Sequence, residues 1–142
     1  MKKTISSIIL ILGGICIFSS CKKTSDKYIN ETLNTDTSAV LKYSGDFISG
    51  PYGTVAGSAK VYLKTGNCIV ALENFTTGSG PDLKVYISKE RIPVNFISLG
   101  SLKSTNGNQL YDVAGIPDFT LYKYVLIHCE QYNHLFGSAE LR

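Results

Sequence analysis

The sequence predicts an all-β fold: an antiparallel β-sandwich, or a partly open β-barrel, built as a single domain. From about residue 40 to the end, short segments rich in Val, Ile, Leu and Tyr alternate with clusters of Gly, Asn, Pro and Ser. Strands that recur about every 8–12 residues with turn residues between them indicate a sandwich or barrel. No stretch keeps apolar residues at helical spacing for three turns, so we expect no amphipathic helix.

Eight strands are expected in the domain, which we place at residues 40–142. Side chains alternate between the two faces of a strand, as Ala59, Val61 and Leu63 show in the second of them. Turn residues such as Thr65-Gly66-Asn67 end the strands. The expected strands cover residues 40–47, 54–63, 68–75, 83–88, 97–100, 109–113, 122–129 and 135–141.

Residues 1–20 have the pattern of a secretory signal peptide. Lys2 and Lys3 precede an apolar run over residues 8–18, and two serines follow it. The run is shorter than the roughly 17–25 residues that span a bilayer. An uncleaved membrane anchor is the alternative to a cleaved signal.

Cys21 follows this segment directly. The sequence Phe18-Ser-Ser-Cys21 resembles the lipobox of bacterial lipoproteins, with Phe where lipoboxes usually carry Leu. The resemblance implies that the mature chain begins at a lipid-modified Cys21, which attaches it to the membrane through several acyl chains. Because Lys22 and Lys23 follow in place of an acidic retention signal, we expect the outer membrane, on a face that the sequence leaves open.

Residues 21–39 are expected to form a lipid-anchored flexible tether. Their composition is polar, with almost no apolar periodicity, and such segments do not bury enough surface to fold. A coil of this length spans about 25 Å, enough to hold the domain clear of the headgroups. The net charge of the whole chain is +3, and two of its lysines lie in the signal peptide. No basic patch predicts a nucleic-acid partner.

Four cysteines are present, and two of them remain in the predicted domain. Cys16 lies in the signal peptide, and Cys21 is the predicted lipidation site. Cys68 and Cys129 are therefore left in an oxidising compartment, where they either pair or remain as redox-active or packed thiols. A Cys68–Cys129 disulfide would contribute about 4 kcal/mol, and the sequence leaves this possible bridge open.

Cys129 ends the apolar run 124–129 and shares a strand face with Val125 and Ile127. Free cysteines in such positions commonly behave as small buried hydrophobes. His128 and Glu130 point to the opposite face, so neither activates the sulfur from within the strand.

His128, Cys129 and His134 contain the residue types of a metal site. Adjacent side chains of a strand face opposite ways and His134 lies beyond a turn, so the spacing of these residues does not predict a metal site. Copper or haem binding through His128 or His134 is a further alternative. The sequence lacks C-x-x-C-H, G-x-S-x-G, a P-loop and a dinucleotide-binding motif. We therefore identify no cofactor and expect no enzymatic activity of the chain's own.

Several short motifs in the domain resemble those of one family, the DM-thirteen domain, described as an extracytoplasmic electron-transfer module. The resemblance covers roughly residues 45–141. The matching segments are Gly80-Pro81-Asp82-Leu83 with Val85-Tyr86-Ile87-Ser88, Leu99-Gly100-x-Leu102-Lys103, Gly107-x-Gln109-x-Tyr111, Val125-x-Ile127-x-Cys129, and Phe136-Gly137-x-Ala139-x-Leu141.

The resemblance implies a β-sandwich-like domain whose characteristic cysteine is matched by Cys129, the residue on which the family's proposed redox role rests. The chain departs from the family pattern at His128, where Trp is frequent, and at Pro51-Tyr52, where a His is frequent. Cys68 is not part of the family pattern.

Two functions are therefore expected to compete. The first is an envelope lipoprotein that acts in electron transfer or thiol redox through Cys129, together with a redox partner protein. The second is a non-catalytic binding or adhesion module in which Cys129 is buried and structural. Antiparallel sandwiches often bind through loops at one end. The candidate loops are 49–53, 76–81 and 131–134.

Overall fold

The structure is a computed structural model, and it describes residues 24, 26–33 and 38–142. Within these residues the chain forms nine β-strands and no helix. Eight of the strands overlap the predicted ones, and the first was not predicted. The strands are β1 (Ile29–Asn30), β2 (Val40–Ser49), β3 (Val55–Lys64), β4 (Asn67–Thr77), β5 (Leu83–Ser88), β6 (Phe96–Ser101), β7 (Gly107–Ala114), β8 (Tyr124–Cys129) and β9 (His134–Glu140).

All nine strands belong to one sheet that curls into an open half-barrel. The strand order is β1-β7-β4-β3-β2-β9-β8-β5-β6. Pairings between these strands are antiparallel, except that β1 runs parallel to β7. The all-β prediction is confirmed, and of the two architectures left open the partly open barrel describes the sheet.

The inside of the half-barrel holds the main hydrophobic core. Val61, Val70, Val85, Val125 and Ile127 come from four different strands, and each is 0% exposed. Burying a side chain of this size contributes about 1.5–3 kcal/mol. Curling lets strands that are far apart in the sheet share one core, because their inward faces then meet.

The loops group at the two ends of the half-barrel. One end, which we call the Cys129 end, comprises loops 50–54, 78–82, 102–106 and 130–133. Backbone hydrogen bonds join these loops: Gly78 N donates to Thr54 O at 3.1 Å, and Glu130 N donates to Asp82 O at 2.9 Å. The opposite end comprises the turn 65–66 and the loop 115–123.

A second, smaller apolar layer covers the outer face of β5 and β8. Tyr86, Leu126 and His128 point away from the main core, yet they are only 1%, 0% and 5% exposed. Phe96, at the end of the loop 89–95, stacks on Tyr86 with 4.2 Å between ring centroids. β8 is therefore buried on both faces, which explains why its sequence is apolar without alternation.

Part of the segment predicted to be a flexible tether is folded onto the domain. β1 pairs with the start of β7, with Ile29 opposite Gly107. A Cβ at Gly107 would overlap the carbonyl oxygen of Ile29, so the close approach of the two strands requires glycine. The prediction of an unstructured tether over residues 21–39 is therefore wrong for residues 26–33.

Polar side chains hold this segment on the domain. The Glu31 carboxylate accepts hydrogen bonds from Lys103 Nζ and from Leu110 N, each at 2.7 Å. Burial acts to raise the pKa of Glu31, but these two donors outweigh it, and the pKa is lowered. The contacts join residues more than 70 positions apart in the chain, so the local composition of the segment did not indicate them.

The predicted signal peptide and Cys21 lie outside the described residues. In the part of the chain that the structure describes, no helix has the length and apolar character needed to cross a bilayer.

We expect the core substitution Ile127→Ala to lower the free energy of unfolding by about 2–5 kcal/mol, because it leaves a cavity where the structure cannot fully collapse. The control Ile116→Ala alters a side chain that is 51% exposed and is expected to change stability by less than about 0.5 kcal/mol. Chemical denaturation at pH 7 measures both. Similar losses for the two variants would contradict the described core.

Candidate functional site

Cys129 is the last residue of β8, and its side chain belongs to the main core. It lies opposite Leu83 of β5 and His134 of β9. The residue is 1% exposed and shares the core cluster with Val125 and Ile127, as the alternation along the strand predicted.

The polar neighbours of Cys129 in the chain lie on the other side of the sheet. Tyr86, on the outer face, donates its hydroxyl to Glu130 Oε1 at 3.1 Å. The His128 ring lies 5.8 Å from the ring of Tyr86. Neither side chain therefore reaches the sulfur.

Cys68 is the second residue of β4, at the opposite end of the half-barrel, where it faces Leu63 and Val113 in the register. It is fully buried, and burial raises the pKa of its thiol. Both described cysteines are free thiols. Three strands, β3, β2 and β9, stand between Cys68 and Cys129 in the sheet, and the possible disulfide between them is not formed in the structure.

Motif residues close the core at the Cys129 end. Leu83, opposite Cys129, accepts a backbone hydrogen bond from Leu102 N at 2.8 Å. Gly80 packs so closely that a Cβ there would lie 2.7 Å from the Leu83 side chain and 3.3 Å from the Phe136 ring. The conformation of the loop 78–82 therefore depends on glycine at this position.

Gln109 fixes the loop 102–106 at the same end. Its side-chain oxygen accepts from Lys103 N and Ser104 N at 3.1 and 3.2 Å, and its Nε2 donates to Ser104 O at 2.7 Å. The Tyr111 hydroxyl donates to the same oxygen at 2.9 Å. Gln109 is 0% exposed, so its loss would leave buried peptide groups unpaired. The motif G-x-Q-x-Y thus positions a loop.

His128 lies on the outer face at a β-bulge. Ile127 is opposite Gly137 but His128 is opposite Leu135, so β9 carries one extra residue. The Nδ1 atom of His128 is buried without a hydrogen-bond partner among the described residues. Burial lowers the pKa of His128, and the Asn133 side chain opposes this only in part. The ring is therefore neutral at pH 7.

A cleft of about 430 Å³ opens beside His128. At its edge, Tyr52 stacks on His134 with 3.9 Å between ring centroids and 2° between ring planes. Two of the loops predicted to bind, 49–53 and 131–134, therefore meet. The third, 76–81, is hydrogen-bonded to Thr54, the residue that follows the first loop. The apolar part of the cleft lining comes from Pro51, Ile92, Pro93, Val94 and Leu135.

The contribution of the loop 89–95 to this cleft was not predicted from the sequence. Ile92 and Val94 are 55% and 62% exposed and contribute to the lining. The available signal was the apolar triplet Ile92-Pro93-Val94 in a loop, since exposed apolar loop residues often mark a contact surface.

His128, Cys129 and His134 do not converge on one point. Cys129 is in the core, His128 is on the outer face, and His134 stacks on Tyr52. Among the described residues, no group of three or more His, Cys, Asp or Glu is placed to hold a metal ion. These three side chains therefore do not form one shared metal site.

A protein-family model described as Electron transfer DM13 matches residues 46–141, which is more than half of the chain. The match includes β8 with Cys129 and the loops of the Cys129 end, and it begins after the segment 26–33. Comparisons with curated proteins and with solved structures gave no match.

We expect His128 to titrate below the ordinary histidine pKa of about 6.5. The chain has two histidines, so NMR shows the ring-proton signals of only two imidazoles during a pH titration. The signals that remain in the variant His134→Gln are those of His128. Unfolded chains bind the proton at the ordinary pKa and the folded protein only at lower pH. The stabilisation by neutral His128 is thus fully present above about pH 6.5 and declines as the pH falls towards the folded pKa.

The free energy of unfolding of the wild-type protein should therefore decrease between pH 7 and pH 5 more steeply than that of His128→Phe, which cannot gain this proton. Denaturation at several pH values measures both slopes. A His128 midpoint at or above the ordinary value, or parallel slopes for the two proteins, would contradict the prediction.

Proposed function

Because this chain belongs to the electron transfer DM13 family, we propose that it takes part in electron transfer at the bacterial cell envelope, with Cys129 as its redox residue. The family match is the observation that carries the proposal. The arrangement of the motif residues supports it, because Leu83, Leu102 and Gly80 close the end of the core at which Cys129 lies.

Burial decides how such a thiol reacts. With 1% of its surface exposed, Cys129 meets a partner only after the loops of the Cys129 end open, and local opening of this kind is a normal low-energy event in loops. The Cys129 thiol then gives its proton to water, and its sulfur attacks a disulfide of the partner protein. A Cys129–partner disulfide forms, the partner's S–S bond breaks, and its second sulfur leaves as a thiol, so the partner disulfide is the two-electron oxidant.

The same burial favours a second candidate function, a non-catalytic binding module in which Cys129 only fills the core. The specific observation is the cleft beside His128, where loops 49–53 and 131–134 meet through the Tyr52–His134 stack. Apolar clefts with a few polar groups are the usual form of a ligand site. In this function the thiol never changes its oxidation state.

We expect the oxidised fraction of Cys129 to change several-fold between reducing and oxidising growth conditions, whereas Cys68 stays reduced. Differential alkylation of envelope fractions before and after reduction, followed by peptide mass spectrometry, reports the two cysteines separately. In functional assays Cys129→Ala should abolish the electron-transfer phenotype, and the matched core variant Cys68→Ala should retain it.

If Cys129 stays reduced under both conditions and is alkylated only after unfolding, the redox function is refuted and the binding module is supported.

The proposed location follows from the sequence pattern before the domain. A basic start, an apolar run and the lipobox-like Phe18-Ser-Ser-Cys21 support cleavage before Cys21 and its lipid modification, with Lys22 and Lys23 favouring the outer membrane. Attachment by more than one acyl chain gives stable membrane association.

We expect Cys21→Ser to remain as an unprocessed precursor and to incorporate no acyl chain, because only the thiol at this position accepts the lipid. Metabolic labelling with an alkyne fatty acid and membrane fractionation measure this. The control Cys16→Ser changes a cysteine inside the apolar run and should be labelled normally. Normal processing of Cys21→Ser would refute the lipoprotein assignment.

A further inference from the structure

The described chain begins at the Cys129 end of the half-barrel. Thr24, two residues before Asp26, is buried, at 8% exposure. Asp26 Oδ1 accepts hydrogen bonds from Ser79 Oγ at 3.1 Å and from Thr105 Oγ1 at 3.2 Å. Ser79 and Thr105 belong to loops 78–82 and 102–106, so the N-terminal segment docks on this end before it runs along β7.

The length of chain before this docked segment is short. Thr24 lies three positions after Cys21, and even a fully extended chain advances at most about 3.6 Å per position, or about 11 Å in total. The span of about 25 Å expected for a free tether is therefore not available. If Cys21 carries acyl chains, the Cys129 end cannot lie far from the headgroups.

The side chains exposed at this end suit a membrane–water interface. Tyr28, Tyr52 and Tyr132 are 59%, 56% and 58% exposed, and all three lie at the Cys129 end. The other six tyrosines are buried or half-buried. Tyrosine combines an apolar ring with a polar hydroxyl and is enriched where a protein meets the headgroup region.

We propose that the domain rests on the lipid surface with its Cys129 end, and that Tyr28, Tyr52 and Tyr132 lie among the headgroups. The proposal rests on the lipid modification of Cys21 proposed above and adds the direction in which the domain faces. Its consequence is that the loops closing the core near Cys129 face the bilayer. A partner that reaches this thiol must then approach along the membrane surface.

Tryptophan fluorescence quenching by brominated lipid tests this orientation. The chain contains no Trp, so Tyr52→Trp, Tyr132→Trp and Leu121→Trp each introduce a single probe. Leu121 lies in the loop 115–123 of the opposite end and is 52% exposed, so it serves as the matched control. The full lipidated chain is reconstituted in phospholipid vesicles whose acyl chains carry bromine near the headgroups.

We expect the probes at positions 52 and 132 to be quenched at least threefold more than the probe at position 121. Flotation of the wild-type chain with the vesicles, compared with Cys21→Ser, reports the anchoring separately. Flotation with no quenching at either Cys129-end position, or with equal quenching at position 121, overturns the orientation while the anchoring stands. A wild-type chain that does not float refutes the anchoring, and the orientation with it.

Discussion

The pairing of β8 with β5 and β9 places its residues between two apolar layers. On the inner side Val125, Ile127 and Cys129 pack in the main core, and on the outer side Leu126 and His128 are also buried. Because adjacent residues of a strand face opposite ways, a thiol and an imidazole that are neighbours in the chain occupy separate environments. The two groups therefore cannot act on one another, and each must be considered with the layer that contains it.

The grouping of loops at one end follows from the antiparallel order of the strands. Successive strands bring loops 50–54, 78–82, 102–106 and 130–133 to the end at which β8 finishes. The motifs that the family match spans fix these loops through glycine contacts and through the buried Gln109. Much of the motif pattern therefore maintains the architecture of the end at which Cys129 lies.

The docked N-terminal segment changes how the domain relates to its proposed anchor. A free polar coil would let the domain turn in any direction, whereas a segment bonded to Ser79 and Thr105 fixes the side from which the chain leaves. Electron transfer requires donor and acceptor to approach closely. An anchoring segment that restricts orientation raises the share of encounters in the productive direction, because the domain does not have to search all orientations.

The sequence by itself determined the all-β class, the eight longer strands and the inward face of Cys129, because each depends on alternation and turn residues within a few positions. The tertiary structure alone decided what lies opposite these residues. The folded part of the predicted tether depends on Glu31 meeting Lys103, and the cleft depends on Tyr52 meeting His134. These pairs are far apart in the chain, so a local pattern carries no information about them until the sheet curls and brings them together.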